Sequence, residues 1–224
     1  GTPVPQLVVV GSGANPAWAG AGLYADLGDG SLQALGQTGR VRGMIGTTMN
    51  ALTAASPLLV DRCSSLIVSL CADDLPLAPA TLRQLAQGAN RAVVGEEIIQ
   101  FASAEPLGNS NWRLSHLLRG RGGTEHAVMG HSAGETVILL DGAMTVIDAQ
   151  AVSTGSVVAI GLGDPEPVSA MVQLSGIGHR PLTPVHGHCH TLANGDLVVR
   201  RQRWLFQNQK MGQLPDRLHL MTPG

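Results

Sequence analysis

Lysine occurs once in this chain, at Lys210, and the other basic residues are all arginine. With 14 basic and 16 acidic residues the net charge is −2, so no dense cationic field exists to track phosphates or an anionic lipid surface. Nucleic acid is therefore not an expected partner. Charged residues make up 13% of the chain, about half the usual share of a globular domain. The surface must then be covered either by Gly, Ser, Thr, Gln and Asn, as on a soluble monomer, or by neighbouring subunits; we favour the second. Six aromatic residues (3 Trp, 1 Tyr, 2 Phe) are too few to build stacked platforms for bases or sugars, and Trp112 is expected in the core. Three cysteines, Cys63, Cys71 and Cys189, are an odd number without CxxC spacing, which fits neither a disulfide framework nor a zinc ribbon. No apolar run approaches the roughly 18 residues that span a bilayer, and the N-terminus lacks the layout of a signal peptide. The chain begins Gly1-Thr2-Pro3, without methionine, so we expect a piece excised from a longer protein.

At 224 residues there is material for one large or two small cores. What the chain does have is short apolar strands separated by turn residues: Val4 to Val10, Ala21 to Ala25, Ser31 to Leu35, Leu66 to Leu70, Thr136 to Leu140, Met144 to Ile147 and Ser156 to Ile160. Strands punctuated every 8 to 12 positions predict an all-β sandwich or barrel. Pro79 to Gly88 breaks the pattern, with Pro near its start, Gly at its end and apolar residues three apart, and predicts one short helix. The expected fold is thus mainly β, with barrel or sandwich domains and a single short helix.

The densest signal runs from Gly95 to Glu125. Val93 to Phe101 reads as a β-branched strand, Gly108-Asn109-Ser110-Asn111 as a turn, and Trp112 to Leu117 as a partner strand of period two. Leu118-Arg119-Gly120-Arg121-Gly122-Gly123-Thr124-Glu125 follows, where glycines permit backbone angles that other residues resist and two guanidinium groups can fork onto carbonyls or carboxylates. That segment is built to hold a shape, so Arg119, Gly120, Arg121, Gly122 and Glu125 are expected to fix a structural loop, with no catalytic residue.

Gly95-Glu96-Glu97-Ile98-Ile99-Gln100-Phe101, then Leu117 to Glu125, then His131-Ser132-Ala133-Gly134-Glu135 and an apolar strand ending at Leu140-Asp141 resemble, in order and spacing, a family of tail-tip proteins. It is the host-specificity (baseplate hub) protein of gene transfer agents and related siphophages. A looser likeness reaches back through Leu85 to Asn90 and Ile45 to Leu52, so the resemblance covers roughly residues 40 to 145 and leaves the last ~25 residues unassigned. Scarce lysine with abundant Ala and Gly also suggests a bacterial or phage source. The resemblance implies a β-barrel hub-like domain over 41–145; 1–40 and 146–224 lie outside it and form a second strand-rich region, read here from their strands as one discontinuous domain into which the barrel is inserted. It further implies a structural part of a phage or gene-transfer-agent tail tip, made in the bacterial cytoplasm and mounted on the virion. There it would be a homotrimer among other tail and baseplate proteins, with the bacterial cell surface left open as a further partner and no cofactor expected.

Two motifs invite a different reading. Gly130-His131-Ser132-Ala133-Gly134 matches G-x-S-x-G, and Ser132, then Asp141, Asp148 or Asp164, then His186 to His190 follow the chain order of an α/β-hydrolase triad. That mechanism needs the serine on a strand-to-helix elbow, whereas Glu135 to Leu140 reads as a strand. His186, His188 and His190 stand on alternate positions, suited to zinc or nickel if one strand face presents them, which would make a metal-dependent cell-wall enzyme. Against this, no carboxylate adjoins them, and incidental surface histidines are the plainer reading, so no metal site is assigned. Val8 to Pro16 begins like a dinucleotide fingerprint but has Pro16 in place of the third glycine. Arg200, Arg201 and Arg203 read as a solvated strand face.

Overall fold

The computed structural model describes residues 6–140, 143–152, 155–162, 164–171, 185–191, 197–202 and 217–221. In chain order the strands are β1 (Gln6–Gly11), β2 (Ala21–Asp26), β3 (Leu32–Gln37), β4 (Ile45–Thr48), β5 (Leu52–Thr53), β6 (Val60–Leu70), β7 (Arg91–Val94), β8 (Glu97–Gly108) and β9 (Asn111–Arg121). After them come β10 (Gly130–His131), β11 (Thr136–Leu139), β12 (Met144–Asp148), β13 (Ser156–Gly161), β14 (Asp164–Met171), β15 (Val185–Thr191), β16 (Leu197–Gln202) and β17 (Arg217–Met221). The α-helix among the described residues is α1 (Leu82–Ala86). The protein is mainly β with one short helix, as the turn spacing predicts.

Six strands close into a barrel in the order β11-β4-β6-β9-β8-β7. Leu66, Val68, Ile99, Phe101, Leu114, Leu117 and Val137 point into its interior, all of them fully buried. The period two expected for Trp112 to Leu117 is corrected: Leu114 and Leu117 both face inward although three apart, because His116 takes φ of 55° and breaks the alternation. Beside the barrel, β12-β1-β17 form one sheet and β14-β13-β2-β3 another. Leu7, Val9, Leu23, Ile147, Val157 and Ala159 fill the space between these two sheets. Strands before the barrel thus pair with strands after it, β1 with β12 and β2 with β13.

β1 explains its own run of apolar residues. Leu7 and Val9 enter the core between the sheets, while Val8 and Val10 pack on Ile45 and Ile138 of the barrel wall. A strand buried on both faces loses the polar half of the alternation. The junction is tight: the Gly43 amide donates to the Gly11 carbonyl at 2.8 Å, and a Cβ on Gly43 would lie 2.1 Å from Val10 Cγ1.

The turns follow local chemistry. Asn109 and Ser110 take φ of 50° and 63°, the pair of left-handed residues that a two-residue hairpin with right-twisted strands requires, between Gly108 and Asn111, which pair across the strands. The sequence reading of Val93 to Phe101 as one strand is corrected: Gly95 and Glu96 form a tight turn between β7 and β8, with Val94 paired to Glu97. β-branched residues on both sides made the run look continuous. α1 is shorter than the predicted Pro79 to Gly88, because Thr81 is its N-cap and exchanges a capping box with Gln84. At its other end the Gln100 amide donates to the Leu85 and Ala89 carbonyls. Trp112 is half-buried, packed against the barrel core.

Gly43→Ala should lower stability by about 1–3 kcal/mol, the usual cost of forcing extra volume into a packed site, because Val10 is fully buried and has no room to retreat. Thermal melting of the variant beside the parent checks this.

Candidate functional site

The sequence of β9 ends on an inward leucine, Leu117, followed two positions later by an arginine, and β8 begins with Glu97, Ile99 and Phe101 on one buried face. Alternation therefore drives Arg119 and Glu97 into the barrel, where both side chains are 0% exposed. They meet as a fork: Arg119 Nε donates to Glu97 Oε1 and Nη2 to Oε2, each at 2.8 Å. Opposite charges in this geometry give the strongest class of protein hydrogen bond. The pairing register places two residues, Arg119 and Gly120, against the single Ile99, a bulge that Gly120 permits by taking φ of 59°. That twist aims the Gly120 amide at Glu97 Oε1, 2.6 Å away.

His131, on β10, supplies the fourth contact to the same carboxylate. Its Nε2 lies 2.7 Å from Glu97 Oε2 and its Nδ1 2.6 Å from Glu135 Oε2. A carboxylate offers about four acceptor positions, and those of Glu97 are now all engaged. A ring with a carboxylate on each nitrogen donates from both, so His131 is an imidazolium here. Arg119 completes its own set with Nη1 donating to the Thr53 carbonyl at 2.9 Å and standing 4.0 Å from Asp61 Oδ2.

Glu135 sits nearer the surface, its side chain 30% exposed. Its Oε1 accepts the Ser132 amide at 2.7 Å. A Cβ on Gly95 would lie 2.6 Å from Glu135 Oε2, so the β7–β8 turn and this carboxylate share a space that only glycine leaves open. Thr48 holds the base of the turn: its hydroxyl donates to the Ser132 carbonyl at 2.8 Å and accepts the Glu135 amide at 2.9 Å. Its backbone accepts from Gly134 at 2.7 Å and donates to the Glu135 carbonyl at 2.8 Å.

The charges move one another's proton affinities. Burial alone would raise the Glu97 carboxyl, but hydrogen bonds from His131, Arg119 and the Gly120 amide outweigh it and hold the group below the ordinary range. Glu135 is lowered likewise, burial being overcome by the Ser132 amide and His131. For His131 the bond to Glu97 is the main effect and raises it, against burial, with Glu135 adding to the rise. Asp61 is lowered too: its burial is offset by the amides of Ser64 and Cys63 and by Arg119.

A family model described as Rcc01698-like, C-terminal, matches residues 43–138. The matched span begins two residues before β4 and ends within β11, so it takes in the barrel and every residue of this cluster. No curated protein shows a significant match to the chain.

The residues singled out from the sequence are distributed as follows. Arg119 is the centre of the cluster and Gly120 its bulge; Arg121 ends β9 with an exposed side chain, Gly122 lies in the following turn, and Glu125 opens a short 3-10 turn, Glu125–Ala127. Ser132 is exposed on a turn between β10 and β11, with strands on both sides of it. Asp148 accepts the Gln150 amide at a 3-10 turn. Asp141 and the side chain of Asp164 lie outside the described residues, as do the side chains of His186, His188 and His190. The backbone places His188 opposite Arg200 and His190 opposite Val198, with a register irregularity between Val185 and His188. Glu97, His131 and Glu135 stand in stretches that carry the resemblance but were given no site role. Their signal was modest: a glutamate in phase with Ile99 and Phe101, in a chain poor in charge.

Removing one partner of a buried ion pair leaves the other uncompensated. Arg119→Met should therefore cost about 3–5 kcal/mol, measured by chemical denaturation, while the same change made together with Glu97→Leu should cost less than the single substitution.

His131 has its affinity raised above 6.5, so its contribution is complete below 6.5 and disappears as pH climbs through the raised value. Glu97 and Glu135 are lowered from 4.5, so theirs is complete above 4.5 and disappears as pH falls through the lowered values. Melting temperature should be highest between 4.5 and 6.5 and fall on both sides; His131→Gln should flatten the alkaline fall.

Proposed function

We propose that this chain is a non-enzymatic structural module of a tail tip, a baseplate-hub element of a gene transfer agent or related phage-like particle that supports host attachment and DNA delivery. The match of residues 43–138 to the Rcc01698-like, C-terminal family carries this reading, since Rcc01698 is a gene-transfer-agent-associated protein. The chemistry of the matched region favours it. Its most elaborate group of polar residues is turned inward, and Glu97 and His131 are engaged with each other and with their neighbours. A rigid barrel of this kind suits a component whose work is to keep its shape inside an assembly. On this reading the intact protein is a homotrimer around the tail axis, in contact with other tail and baseplate proteins, and a surface with so few charges is covered by its neighbours.

Ser132 beside His131 does not alter the proposal. Its amide and carbonyl are both spent on the turn, the first on Glu135 and the second on Thr48. The ring nitrogens next to it face carboxylates.

Peptides from residues 43–138 should co-sediment with tail-bearing particles purified on a density gradient. A density map of the tail tip should accommodate the barrel in copies related by the tail axis. Recovery in the particle-free fraction alone, or labelling by a fluorophosphonate probe that vanishes in Ser132→Ala, would overturn the proposal.

A further inference from the structure

We propose that His131 is a proton-operated latch on the turn at 132–135: doubly protonated, it holds the Glu135 carboxylate over the Ser132 amide and beside Gly95, and on losing one proton it lets that carboxylate go. This does not depend on the tail-tip reading.

The geometry decides which contact breaks. A neutral imidazole keeps one N–H, so one of the two carboxylate oxygens now lying 2.6 and 2.7 Å from its nitrogens must face a lone pair instead. Glu97 is unable to withdraw. It is 0% exposed and fixed by both arms of the Arg119 fork and by the Gly120 amide. Glu135 has water within reach and is free to swing outward. The remaining proton therefore stays on Nε2, towards Glu97, and the proton that is lost comes from Nδ1. Glu135 then leaves, and the Ser132 amide loses its acceptor.

The surrounding charges act in the same direction. Glu97 faces the ring from β8, Arg119 of β9 stands behind it, and Asp61 of β6 lies beyond Arg119 at 4.0 Å. Glu135 faces the ring from its own turn. On the β7–β8 turn the neighbour is the backbone of Gly95, followed by the exposed Glu96. With a neutral ring, Arg119 still balances Glu97 while Glu135 is left without a cation, so the released group is the one that solvent must stabilise. Thr48 keeps its bonds to the Ser132 carbonyl, the Gly134 amide and the Glu135 backbone, which confines the change to the Glu135 side chain and the Ser132 amide and leaves the barrel closed.

A nuclear magnetic resonance pH titration of the full chain tests this. The His131 ring carbons and the Ser132 amide proton should titrate together, with one midpoint above 6.5, while the Glu97 carboxyl carbon stays still through the same step. In Glu135→Gln, a change at the barrel surface, the Ser132 inflection should disappear and the His131 midpoint should fall, with the Trp112 signals unchanged. A Ser132 amide that is flat, that follows a different midpoint, or that keeps its inflection in Glu135→Gln would overturn the latch. So would movement of Glu97 in place of Glu135.

Discussion

The fork between Arg119 and Glu97 is the constraint around which the barrel is organised. A carboxylate taken out of water is tolerable only when its lone pairs are filled, and filling four of them demands partners from separate parts of the chain in one arrangement. Glu97 draws on β9 through Arg119 and Gly120 and on β10 through His131, while Arg119 reaches back to the Thr53 carbonyl of β5. A hydrophobic pair of similar size would fill the volume but would accept many neighbouring registers. The charged pair has all its partners in the observed register, where the bulge at Gly120 brings an amide to Glu97.

The cluster also accounts for the use of charge in a chain that has so little. Charges spread over the outside stabilise weakly, whereas here Arg119 and His131 are set against Glu97, Glu135 and Asp61 in the wall of the barrel. Glu135, at the rim, is the most exposed of them. The corner that carries the G-x-S-x-G letters is thereby a rim of this network: the backbone of Ser132 and the Glu135 side chain bond to each other, and Thr48 bonds to both backbones.

Much of the fold was legible because its signals are local. The strands at β8 and β9, the left-handed pair at Asn109 and Ser110, and the capped helix near Thr81 are all set by neighbouring residues, whereas the break in alternation at His116 was not foreseen. The turn at Gly95 and Glu96 escaped notice because valines and isoleucines on both flanks imitate one uninterrupted strand. The cluster was harder to read for a different reason. Arg119 stood out in its glycine-rich setting, but its partner is 22 positions away, and His131 is 34 positions from Glu97. Those distances are bridged by strand pairing, which a single sequence does not spell out. The histidines at 186–190, crowded together, attracted attention that the scattered members of the network did not.

β1 carries a liability of its own. In an ordinary half-buried strand, slipping by one residue throws every apolar side chain into water, and that penalty sets the alignment. Leu7-Val8-Val9-Val10 would feel almost none of it, since both faces are already greasy and the four side chains are close in size. Hydrophobicity alone is therefore blind to where this strand stops sliding. Where the strand meets the barrel, the bare Cα of Gly43 leaves room for a Val10 methyl and the Gly43 amide bonds to the Gly11 carbonyl. A greasy strand shared by two cores comes closest to the barrel at the residue that has no side chain at all.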